Sequence, residues 1–150
     1  MRRTCSDTHG FTLVELLVVL AVLAVLALMA VQVLNSYVVS VKVGRTSADI
    51  RTIEKTLAAY YIEKNQYPAS LKDVGMGEQS DPWMNLYEYR LLAGGVEALE
   101  DSLGIALNTD YDLYSKGPDG VSAIAAGDAS ALDDIVRAND GQYAGPRTKL

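Results

Sequence analysis

A glutamate stands inside the most apolar part of this chain, and that pairing restricts what the chain can become. The run "GFTLVELLVVLAVLAVLALMAV" extends from Gly10 to Val31, with Glu15 as the fifth residue counted from Phe11. No residue from Leu16 to Val41 is charged, and all 16 from Leu16 to Val31 are apolar. A membrane-crossing helix needs about 20 apolar residues, which this run nearly supplies and Gln32 to Val41 extends. A carboxylate at bilayer depth, however, is costly unless it is partnered, neutralised or close to the membrane edge. A secretory signal peptide would have an apolar region of ~7–15 residues with a small-residue cleavage site beyond it. Here the run is longer, and the small-residue junction Gly10–Phe11 precedes it. A plain anchor fits the length, and Arg2 and Arg3 favour a cytoplasmic N-terminus, an asymmetry that Lys42 and Arg45 reduce. Neither reading gives Glu15 a role beyond snorkelling to the edge.

Charge and cysteine usage narrow the function classes. The 150 residues carry a net charge of −6; the first ten contribute +1, so the remainder is at −7. An acidic body repels polyphosphate and disfavours nucleic acid as a partner, while acidic clusters suit a divalent cation. Cys5 is the single cysteine and His9 the single histidine, and both precede Phe11. A chain cut after Gly10 therefore has no zinc site of the usual ligand types, no Cys or His nucleophile–base pair and no disulfide. An enzyme is not expected.

After the apolar run, helical spacing continues. Val43, Ile50 and Leu57 repeat every seven residues with Ser47, Ile53 and Tyr60 between them, which makes one apolar stripe. With no proline between Phe11 and Tyr67, the pattern predicts one helix of about 50 residues, ~75 Å long. Pro68 ends it. A coiled coil over three heptads would be short. Beyond it, Ser70 to Val74 reads as a short helix, and Asp81-Pro82-Trp83 as a turn feeding a strand within Leu86 to Leu92. Gly94 to Leu103 is open between loop and helix. Asp112 to Ser115 reads as a strand, Lys116 to Gly120 as a turn, and 137–150 as an aperiodic, mobile tail. Trp83, the single tryptophan, is expected to cap a helix–sheet core, and Tyr60, Tyr61 and Tyr67 to pack at its rim.

The string Gly10-Phe11-Thr12-Leu13-Val14-Glu15 resembles the class III signal of type IV pilins and type II secretion pseudopilins. The resemblance implies cleavage between Gly10 and Phe11 by a prepilin peptidase and methylation of the new N-terminus. It also implies that the apolar helix is retained, first as an anchor and then as filament core. Glu15 would then pair with the Phe11 ammonium of a neighbouring subunit, neutralising both charges and setting the stagger. Two positions depart from the family pattern: Gln32 stands where proline is frequent and Ala24 where glycine is, which implies an unbroken helix. "AYYIEKNQYP" and "DPWMNLYEYR" also resemble major pseudopilin segments, with Met84 in place of a glycine and Leu86 in place of a proline.

The segment "YDLYSKGPDG", followed by a loop and Asp133-Asp134-Ile135, resembles the calcium loop of the major pseudopilin. Carried over, the resemblance implies calcium ligands at Asp119 and Asp134, with Asp133, Asp128 and the Lys116 carbonyl as further candidates. Calcium takes 6–8 oxygens, which such a loop can supply. Without the resemblance, the aspartates read as turn and cap residues of an acidic surface loop. An EF-hand is disfavoured, since Leu113 stands where the turn glycine is needed and Asp119 replaces the usual glutamate.

The expected fold is α+β and pilin-like: a long N-terminal helix, transmembrane in its first half, packed on a small antiparallel sheet. The expected organisation is a leader at 1–10, a membrane and filament-core helix at 11–41, its amphipathic continuation at 42–66, a β-rich domain with the calcium loop at 67–136, and the tail at 137–150. The resemblance implies a bacterial inner-membrane subunit with its C-terminal domain in the periplasm. Its partners would be its own copies, minor pseudopilins, the prepilin peptidase and an inner-membrane assembly platform. It would form a filament for type II secretion, with a type IV pilin for adhesion, motility or DNA uptake as the alternative.

Overall fold

The computed structural model describes residues 10–150; most of the expected leader, with Cys5 and His9, lies outside the described residues. The chain divides into two units, one ending at Val39 and the other Ser40–Leu150. Helix α1, Leu13–Lys64, is unbroken through Ala24 and Gln32, as the lack of a proline and a glycine there implies. Thr12 begins it: its hydroxyl accepts the Glu15 N–H at 3.3 Å, an N-cap bond that satisfies one otherwise orphaned donor. Asn65 ends it in the left-handed region at φ 53°, three residues before Pro68.

In the unit Ser40–Leu150 the helix buries a stripe formed by Thr46, Ile50, Ile53 and Leu57, all at 0% exposure. Thr46 satisfies its hydroxyl on the Lys42 carbonyl at 2.9 Å. The stripe packs on a four-stranded sheet made of β1 (Glu88–Leu91), β2 (Tyr111–Ser115), β3 (Ile135–Ala138) and β4 (Tyr143–Pro146). The order is β1-β2-β3-β4 and every neighbour is antiparallel, with Tyr89 opposite Leu113, Tyr114 opposite Val136 and Val136 opposite Gly145. The expected α+β architecture is thus present.

Strand alternation sends Tyr111, Leu113 and Ile135 to the helix side, where Tyr87, Leu71 and the half-buried Trp83 join them. Tyr114, Val136 and Ala138 face the other way and pack on Leu99 and Leu107. Those two leucines belong to the connection between β1 and β2, which therefore covers the second face of the sheet. Gly94 to Leu103 contains no helix; its pairing is a single bridge, Glu100 to Ala106. This cover also explains Asp112, fully buried in β2. Its carboxylate accepts the Leu99 N–H at 2.7 Å and the Asn108 side-chain amide at 3.0 Å. Burial pushes its pKa up, and these two hydrogen bonds act against that shift.

The expected mobile tail at 137–150 is corrected by the structure. It holds the end of β3, all of β4 and a 3₁₀ turn at Arg147–Lys149. The missed signal is Asp140-Gly141, both at positive φ (51° and 90°) and bridged by the Gln142 N–H on the Asn139 carbonyl at 3.1 Å. This is the backbone that joins two antiparallel strands tightly. Arg137 on β3 ties the hairpin to the helix. Its guanidinium bonds Glu54 at 2.8 Å and Asp110 at 2.7 Å, and lies 4.0 Å from the Tyr111 ring centre.

Asp81-Pro82-Trp83-Met84 closes a turn through the Met84 N–H on the Asp81 carbonyl at 3.0 Å, and Asp81 also accepts the Trp83 and Asn85 N–H groups. Met84 sits at φ 75°, a conformation in which a side chain is strained, while its side chain is 83% exposed. The turn keeps a geometry suited to glycine although methionine occupies it. Met84→Gly is expected to stabilise the domain by about 0.5–1 kcal/mol, the relieved strain exceeding the added chain entropy. Urea denaturation followed by Trp83 fluorescence measures this, and a lowered midpoint would refute it.

Candidate functional site

Two regions contain the candidate residues. The first is the start of α1. Gly10, Phe11 and Thr12 precede the helix, so the Gly10–Phe11 bond lies in non-helical backbone, and both residues are exposed. That is the local form a peptidase needs for access. Glu15 lies in the first turn of the helix and is exposed. Around it, the large apolar side chains described from Phe11 to Val39 are all at least 48% exposed. Within this helix one window is long and apolar enough to cross a membrane. The first turn therefore combines an exposed apolar surface with one carboxylate. Thr12 was not singled out by the sequence reading, although Thr-x-x-Glu is itself a helix-start signature.

The second region is the connection between β2 and β3. Asp119 turns its carboxylate back on its own loop, accepting the Val121 N–H at 2.8 Å. Its own N–H donates to Asp133 at 3.0 Å, so these two residues do meet. Asp128 caps the 3₁₀ turn Ala129–Ala131, accepting from the Ser130 N–H and hydroxyl. Lys116 reaches sideways to an ion pair with Glu88 on β1. Asp134 is fully buried and accepts from the Ser122 hydroxyl at 2.6 Å and from Arg147 at 3.2 Å. Burial pushes its carboxyl up to about 6, with Ser122 and Arg147 pulling it down. Its Oδ2 faces the Arg147 guanidinium.

These residues do not fit a calcium cage. Among the described residues no group of three or more Asp, Glu, His or Cys side chains is placed to hold a metal ion. Two of the four candidate carboxylates, Asp119 and Asp128, are turned to local N–H groups. Asp134 leaves one buried oxygen, Oδ1, without a hydrogen-bond partner, but its other oxygen already faces a cation. Arg147 was not anticipated from sequence, and no local motif marks it.

Residues 5–31 match the family described as the prokaryotic N-terminal methylation motif. No curated protein and no solved structure matches the chain. The chain thus carries the N-terminal signal of pilin-like precursors, the signal that a prepilin peptidase processes.

Gly117 marks how tightly the loop closes. It sits at φ 63°, and a Cβ there would run into the Asp133 carbonyl oxygen and side chain. Gly75 has a similar φ of 73° but open space around it. Gly117→Ala is expected to cost at least about 2 kcal/mol, from strain plus collision. Gly75→Ala is expected to cost about 1 kcal/mol, from strain alone. Equal losses in denaturant titrations would show that the Asp133 contact does not constrain the loop.

Proposed function

We propose that this chain is a structural pseudopilin subunit of a type II secretion system. The reading rests on one observation: an exposed, non-helical Gly10–Phe11 junction followed by a helix whose described large apolar side chains from Leu13 to Val39 are uncovered, with Glu15 the one carboxylate in that stretch. Cleavage would create an ammonium at Phe11 beside that surface. Apolar helix faces from several copies would bury one another, and the Glu15 carboxylate of one copy would neutralise the Phe11 ammonium of the next. Both charges are costly alone in apolar surroundings and inexpensive together. The subunit does mechanical work as part of a filament and carries out no reaction of its own.

The secretion class is favoured over a type IV pilin by the Asp-Pro-Trp turn, and by the absence of cysteine after Cys5, since many pilins carry a C-terminal disulfide. In this reading the membrane-inserted precursor has its N-terminus in the cytoplasm and its sheet domain in the periplasm. The partners are further copies, minor pseudopilins, the peptidase and an assembly platform in the inner membrane.

Mature protein isolated from the producing cells is expected to begin at N-methylated Phe11 by terminal sequencing and mass; an intact Gly10–Phe11 bond overturns the reading. Glu15→Ala should still be cleaved and inserted, but its filament yield by electron microscopy should fall at least about tenfold, because the neighbour's ammonium is left unpaired. Loss of protein export in this variant supports the secretion class. Loss of surface pili with export intact assigns the subunit to a pilus instead.

A further inference from the structure

Arg147 follows β4 and is enclosed: its side chain is 1% exposed and that of its partner Asp134 is 0% exposed. A guanidinium has five N–H donors in a fixed plane, and here every one is used. Nε and Nη2 donate to the Glu100 carbonyl at 3.2 and 2.8 Å. Nη1 donates to the Ala123 carbonyl at 2.7 Å and to Asp134 Oδ2 at 3.2 Å, and Nη2 also donates to the Ile124 carbonyl. The Arg147 backbone N–H donates to the Asp134 carbonyl at 2.9 Å. Three backbone carbonyls and one carboxylate therefore surround a single buried positive charge. That acceptor set is the kind that a bound calcium ion collects. It comes from the β1–β2 connection (Glu100), the β2–β3 connection (Ala123, Ile124) and the residue preceding β3 (Asp134).

We infer that Arg147 is the resident cation of this loop, doing the organising work expected of calcium, so that the domain holds its fold without a metal. A divalent ion at Asp134 would be repelled by the guanidinium beside it. Asp134 Oδ1 is the buried side-chain oxygen left without a partner, and no group of three or more Asp, Glu, His or Cys side chains among the described residues is placed to hold a metal there. Removing the guanidinium would strand the Asp134 charge and orphan three carbonyls together. This role of Arg147 holds whether or not the chain polymerises.

The test uses the full chain in detergent micelles, with Trp83 fluorescence reporting melting of the domain. Wild type is expected to melt within about 1 °C in excess calcium and in chelator, since a ligand that does not bind cannot shift Tm. Calorimetric titration of calcium into chelator-treated protein should show no saturable heat. Arg147→Gln should lower Tm by about 10 °C or more. Arg147→Lys should recover less than half of that, because an ammonium lacks the planar fork. Saturable calcium binding with a raised wild-type Tm overturns the inference, as does Arg147→Gln melting with wild type. Where Arg147→Gln does not accumulate, the calcium and chelator comparison on wild type decides alone.

Discussion

The burial of Ile50, Ile53 and Leu57 against the sheet is the contact on which the rest of the domain depends. The strands have only four or five residues each. Strands that short are marginal unless a second layer covers their apolar face. The helix provides that layer on one side, and the β1–β2 connection provides it on the other through Leu99 and Leu107. The two inner strands, β2 and β3, are buried along their whole lengths, because each lies between the two covers while also pairing on both edges.

Polar groups inside this small core follow from the same geometry. Two covers over one sheet enclose residues that need partners, and two arginines supply them. Arg137 joins helix to hairpin through Glu54 and Asp110; Arg147 joins the loops on the other side through carbonyls. Buried ion pairs add little net stability, but losing one partner is expensive, so each arrangement penalises alternative packings strongly. Asp112 has a similar role without a cation, accepting from Leu99 and Asn108 to fix the covering connection onto β2.

Much of this was legible from residue patterns. The helix from Leu13 to Lys64 followed from apolar spacing and the absence of proline, its end from Pro68, and β2 from Asp112 to Ser115. The stripe shifted slightly: Thr46 is fully buried where Ser47 was expected, because a short hydroxyl can bond its own helix carbonyl and enter the core. The hairpin of β3 and β4 was hidden by its glycines and proline, which read as disorder until the Asp140-Gly141 turn pairs them. Arg147 was illegible for a deeper reason. Its acceptors are backbone carbonyls, which any residue type supplies, so no side-chain spacing records them. The aspartates of the same loop were visible, but by themselves they read as turn and cap residues, and it was the family resemblance that implied a metal.

The hydroxyl of Thr12, bonded to the Glu15 N–H, has a consequence at the membrane. If processing removes residues 1–10, Phe11 alone stands ahead of the cap, and its ammonium adds positive charge where the helix dipole is already positive. That placement costs about 0.3–1 kcal/mol, a loss close to the roughly 1 kcal/mol that an N-cap contributes. The terminus can then stay wound while remaining electrostatically unsatisfied. Order and unrest at the same point give an isolated chain a standing bias toward whatever anion next approaches its end.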